Sequence, residues 1–144
     1  MAVLTNFFVA NVEDAEAIGT SAAPTDEFFS AKAGGLDPAK LGSLYAIASV
    51  SPYSADFMKD PSHLLYEGAS GVKIQLVPSD LVLSLCQIPD MGLPSVAKQW
   101  AATDGFKDDS KWTSDSVEEA LKNFSEVCRE ALGEGKALMM YISS

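Results

Sequence analysis

The chain has 144 residues, 47% hydrophobic and 21% charged, with 20 acids against 10 basic residues for a formal net charge of -10. That length supports one ordinary domain, residues 1–144, around one core, and the composition lies far from those of chains that stay disordered. A field of this sign repels phosphate backbones and anionic lipid, and no apolar run approaches the roughly 20 residues of a membrane span, so nucleic-acid and membrane partners are disfavoured.

The first segment, VLTNFFVA, joins β-branched and aromatic residues with almost no charge and predicts a buried strand over 3–10. Asn11 reads as the cap of a short helix carrying Val12, Ala15 and Ile18, with Glu13, Asp14 and Glu16 in its first turns and Gly19 at its end. From Thr20 to Gly35 the signals are mixed around one amphipathic piece, DEFFSAKA, closed by Gly34 and Gly35. Asp37 and Pro38 form a helix start, and Leu41, Leu44, Tyr45 and Ala48 then share one face.

The next stretch, SPYSADFMKDPSHLLYEGASG, is broken by two prolines and reads as helical turns around Phe57 and Leu64 separated by loop. Val72, Ile74 and Leu76 alternate with Lys73 and Gln75, which predicts a strand over 72–77 near an edge of the sheet. Ser79 and Asp80 offer caps to a helix facing inward through Leu81, Leu85 and Ile88, and a further helix over about 93–103 buries Val96, Ala97 and Trp100.

The clearest element is SDSVEEALKNFSEVCREALGEGK, whose Val117, Ala120, Leu121, Phe124, Val127, Cys128, Ala131 and Leu132 follow the amphipathic template. Ser114 or Asp115 is its expected cap and Gly133 its left-handed end. The tail, KALMMYIS, is apolar on both alternate faces, as in a strand covered on both sides, and predicts a core strand over 136–142 paired with the first. The expected fold is therefore α+β: about three strands (3–10, 72–77, 136–142) packed against five or more helices.

Chemistry-bearing motifs are scarce. The single histidine, His63, lacks companions at metal-ligand spacing, and neither CxxC nor HExxH occurs, so no metal is expected. No serine lies in a G-x-S-x-G elbow, and the glycines match neither dinucleotide nor phosphate-loop fingerprints, so no cofactor is expected either. Cys86 and Cys128 sit in apolar contexts and read as buried free thiols of a reducing compartment, and the opening has no basic region ahead of its apolar stretch. A cytoplasmic location follows. A bridge between the two cysteines stays open, because residues distant in sequence can meet in space.

One loop stands apart. AATDGFKDDSKWTSDS sets Asp104, Asp108 and Asp109 beside Phe106 and Trp112, and large aromatics among polar groups are what protein interfaces use as anchors. The same aromatics also suit plain structural work, Trp112 as a staple on the following helix and Trp100 in the core. The order of acids is not that of a calcium loop.

These features favour a non-catalytic, acidic protein-binding module of the inhibitor or immunity type, recognising a basic partner through Asp104, Phe106, Asp108, Asp109 and Trp112. The rival reading is a small enzyme or ligand-binding domain whose cleft gathers distant residues, with His63, Tyr66 and nearby acids as candidates. A homo-oligomer joined through the aromatic loop is the third.

Overall fold

The computed structural model describes residues 3–32, 36, 38–49, 64–68, 71–103, 106 and 112–143. Strand β1 (Val3–Ala10) leads through a 3-10 turn (Val12–Asp14) into α1 (Ala15–Thr20), and α2 (Pro24–Glu27) precedes strand β2 (Phe29–Lys32). Helix α3 (Pro38–Ser49), strands β3 (Leu64–Glu67) and β4 (Lys73–Leu76) and helix α4 (Ser79–Cys86) follow. A second 3-10 turn (Asp90–Gly92) opens α5 (Leu93–Ala101), and the chain continues through α6 (Ser114–Glu134) to β5 (Ala137–Ser143).

The strands form one antiparallel sheet in the order β2-β1-β5-β4-β3. The first and last strands pair as the sequence predicts, with Phe7 opposite Met140 and Val9 opposite Leu138. Alternation along β5 explains its two-sided apolarity. Leu138, Met140 and Ile142 join the large core under the helices, whereas Met139 belongs to a smaller cluster on the other face, with Ala137 and Tyr141 against it.

The class is α+β, but the sheet has five strands, not about three, with six α-helices among the described residues. Both unforeseen strands are four residues long, too short for a period of two to register against their surroundings. Within DEFFSAKA, Asp26 and Glu27 end the helical turn α2 and Phe29–Lys32 form β2, while the turn expected around Leu64 is strand β3. Because β3 pairs outside it, β4 is an inner strand and not the edge its alternation suggested. The turn expected around Phe57 lies outside the described residues.

The thick side of the sheet carries α3, α4, α5 and α6, whose Leu41, Leu44, Leu81, Leu85, Trp100 and Leu121 are fully buried. Their spacing follows the helical stripes read from the sequence. The thin side is closed by Ala15 and Ile18 of α1 and by the Tyr66 ring, which lies so close over Gly19 that a Cβ there would fall inside it. Glycine is required at that crossing by contact, and α1 runs through it to Thr20.

Helix α6 shows how local chemistry sets its ends. Its cap is Thr113, one residue before the expected pair: the Thr113 hydroxyl accepts from the Ser116 N–H (3.1 Å), and the Ser116 hydroxyl accepts from the Thr113 N–H (2.8 Å). The helix ends at Gly135, not Gly133, because Gly135 takes the left-handed conformation (φ 66) that turns the chain into β5. No helix among the described residues is long and apolar enough to cross a membrane.

Candidate functional site

Two of the five loop residues singled out from sequence, Phe106 and Trp112, are described, and they work together. Phe106 is 4% exposed and stands edge-on to Trp100 on one side (centroids 4.9 Å, 87°) and to Trp112 on the other (5.0 Å, 80°). Edge-to-face contact sets the positive rim of one ring against the negative face of the next. The Lys40 ammonium lies 5.4 Å from the Phe106 centroid, and the Trp100 indole N–H donates to the Lys40 carbonyl at 2.8 Å. Phe106 is thus enclosed in an internal stack and does not offer its ring to a partner. Asp104, Asp108, Asp109 and His63 lie outside the described residues.

Trp112 is the outermost ring of the stack, half-buried, and its exposed side opens onto a groove. The groove runs between edge strand β2 and the flank of α6. It is made of two adjoining hollows that share Ala31, Lys32, Asn123 and Val127: one of about 220 Å³ near Trp112, floored by Phe7, Ala31 and Leu36, and one of about 450 Å³ beside Phe29. The α6 wall is the stripe Ser116, Glu119, Ala120, Asn123, Glu126, Val127 and Glu130, at spacings of three and four that keep one flank of the helix in line.

The sheet explains why the groove is open. Val9 and Phe29 are paired across β1 and β2, yet Val9 is 2% exposed and Phe29 is 52% exposed. The helical layer covers β1, where Phe7 meets Phe124 of α6 at 4.9 Å, and falls short one strand farther out. Phe28 and Phe29 are consecutive and face opposite ways, Phe28 packing on the thin-side cluster and Phe29 turning toward α6. Phe29 is the most exposed aromatic ring among the described residues.

Charge on the groove is lopsided. Glu119, Glu126 and Glu130 rim the α6 side and Lys32 stands alone on the β2 side. Among the described residues the ion pairs fall elsewhere, at Lys73–Glu67, Lys122–Glu118, Arg129–Asp90 and Lys136–Glu134, and none uses these three glutamates.

A second, more polar cleft of about 330 Å³ lies on another side of α6, between Lys122, Ser125, Glu126 and Arg129 and the turn at Asp90 and Leu93. The Arg129 guanidinium donates to the Asp90 carboxylate (2.9 Å) and to the Ile88 carbonyl (3.2 Å), tying the α4–α5 connection to α6. The Ser125 hydroxyl is buried without a hydrogen-bond partner.

Both cysteines are free, Cys128 buried on α6 and Cys86 half-buried on α4. Burial pushes both thiols up, Cys128 strongly and with a further push from Cys86, while Arg129 partly offsets the rise at Cys86. Tyr45 is raised by burial first and then by the Asp80 carboxylate, to which its hydroxyl donates at 3.4 Å. Tyr66, named with His63 as a cleft candidate, packs on Gly19 and beside the thin-side cluster. No three metal-ligating side chains come together among the described residues.

The groove was not legible in the sequence because half of it is the unforeseen strand β2 and the other half is the polar flank of an amphipathic helix. The available signal was a second, neutral stripe on that helix, Ser116, Ala120, Asn123 and Val127, broader than one core contact requires. No family model, no curated protein and no solved structure matches the chain.

Proposed function

We propose that this protein is a non-catalytic protein-binding module whose docking surface is the groove between β2 and α6, and that its partner presents a basic segment. The observation that carries the reading is the combination of an apolar floor, a half-exposed Phe29 and, on one rim, three glutamates without ion-pair partners among the described residues. Apolar floor supplies affinity through burial, and the charged rim sets the sign of the partner and speeds its approach. Trp112 contributes the closed end of the groove. The net charge of -10 acts in the same direction at longer range.

Two raised free thiols suit a reducing compartment, and the cytoplasm is the location that goes with this reading. The rival, a small polar ligand in the Lys122–Arg129 cleft, is favoured by one observation, the unpartnered Ser125 hydroxyl; its lining balances two cations against two carboxylates, which selects for no ligand charge.

Titrating an acetylated and amidated lysine–valine heptapeptide into isotope-labelled protein tests the docking reading. Amide shifts concentrated at Ala31, Lys32, Asn123 and Val127, with an affinity that falls as salt rises, support it. Shifts confined to Ser125 and Arg129 move the site to the polar cleft, and shifts scattered over the surface remove the groove as a site.

A further inference from the structure

We infer that the basic segment binds in the groove as an added β-strand on the free edge of β2, an inference that rests on the docking reading above. Among the described residues β2 is the terminal strand of the sheet and pairs with β1 alone. The lane on its other side is where the next strand of the sheet would lie, about 4.8 Å away, beside the hollows that Phe29, Ala31 and Lys32 share with α6.

Burial falls across one strand spacing, from Val9 at 2% to Phe29 at 52%, so the sheet's helix-facing surface continues past the point where the chain's own elements cover it. A strand laid beside β2 sends every second side chain toward Phe29, Ala31 and the α6 wall, which completes the layer. Its main chain meets the hydrogen-bonding groups that an edge strand leaves unpaired.

The dimensions agree. The α6 wall from Ser116 to Glu130 covers about 21 Å at the helical rise, the length of about six extended residues. The charges give the segment a polarity as well. Glu126 and Glu130 stand beside Phe29, whereas at the Trp112 end Glu119 is alone, so the larger share of the segment's basic residues belongs beside Phe29.

A second copy of this chain is a poorer occupant. It carries the same three glutamates and the same -10 charge into the contact. The shortness of β2 and the lysine at its end are the devices by which sheet edges resist indiscriminate pairing.

The experiment uses the full chain and three capped peptides: the lysine–valine heptapeptide, the same peptide N-methylated at alternate residues, and a helix-forming lysine–alanine peptide of equal charge. Strand addition predicts that the first peptide slows amide exchange at residues 29–32. It also predicts that N-methylation, which removes main-chain donors without touching the protein, weakens binding by about tenfold or more, since several main-chain pairings are lost at once.

If the groove amides shift with the first peptide but N-methylation changes nothing and the helix former binds as well, docking stands and strand addition falls. If neither peptide shifts the groove, the docking reading fails and this inference fails with it. Sedimentation of the protein alone gives the remaining outcome: a dimer whose amide exchange is already slow over 29–32 would assign the lane to a second copy and overturn the basic-segment proposal.

Discussion

The protein builds two aromatic-bearing features that share Trp112, and they are opposites. In the stack of Trp100, Phe106 and Trp112 each ring finds its partner inside the molecule, and Lys40 closes the face that remains. In the groove Phe29 has no such cover, and the adjoining glutamates have no ion-pair partner among the described residues. Aromatic rings near acids therefore do not by themselves mark an interface. What separates a fold-holding cluster from a docking surface is whether the contacts are already complete.

The largest test of that contrast is Trp100→Ala. It removes a fully buried ring and the hydrogen bond to the Lys40 carbonyl, and a cost of about 3–5 kcal/mol is expected in urea unfolding. A cost below about 1 kcal/mol, the scale of an ordinary substitution, would show that the stack does not hold the fold.

The same contrast runs through α6, whose inner side carries Cys128 and whose flank carries the groove. The folded protein holds Cys128 protonated at pH values where the unfolded chain has lost the proton. Its contribution is therefore fully present below the ordinary thiol pKa and is lost as pH rises above it. Unfolding free energies should fall above about pH 8.5, by up to about 1.4 kcal/mol per pH unit for one proton. In Cys128→Ala this part of the slope should vanish, and an unchanged alkaline slope would count against a buried thiol there.

A smaller effect probes the junction between the two regions. A double-mutant cycle on Phe106→Leu and Trp112→Leu should return a coupling of about 0.5–1.5 kcal/mol for the edge-to-face pair. Additive costs would place Trp112 with the groove alone. Smallest of all is the expected stability change on the groove rim: Glu119→Gln or Glu130→Gln should shift the urea midpoint by no more than about 0.5 kcal/mol allows, because both side chains are exposed and neither has an ion-pair partner among the described residues.

How far the sequence exposed these features depended on length of pattern. Helix α6 was legible almost residue by residue because 21 positions sustain one period, although its ends were set by Thr113 and Gly135, one and two residues beyond the expected signals. The pairing of β1 with β5 was legible because both carry runs of consecutive apolar residues, FFVA and ALMMYI, as strands covered on both faces do. β2 and β3 were not, since four residues cannot declare a period and their pairing is imposed by neighbours distant in sequence. Phe106 shows a different limit: a ring flanked by acids in sequence lies between Trp100 and Trp112, contacts that no local pattern contains. The groove inherits both difficulties, being half short strand and half helix flank.

The most direct test compares two triple variants of equal net charge by peptide affinity. One is Glu119→Gln, Glu126→Gln and Glu130→Gln on the groove rim; the other is Glu13→Gln, Glu16→Gln and Glu67→Gln, three exposed acids of which the first two lie just before and in α1 and the third on β3, at the opposite edge of the sheet from β2. The groove triple should bind the lysine–valine heptapeptide about tenfold more weakly than the other, with both folded as stably as the parent. Equal affinities for the two variants would mean that overall charge alone attracts the peptide, and would contradict a docking site between β2 and α6.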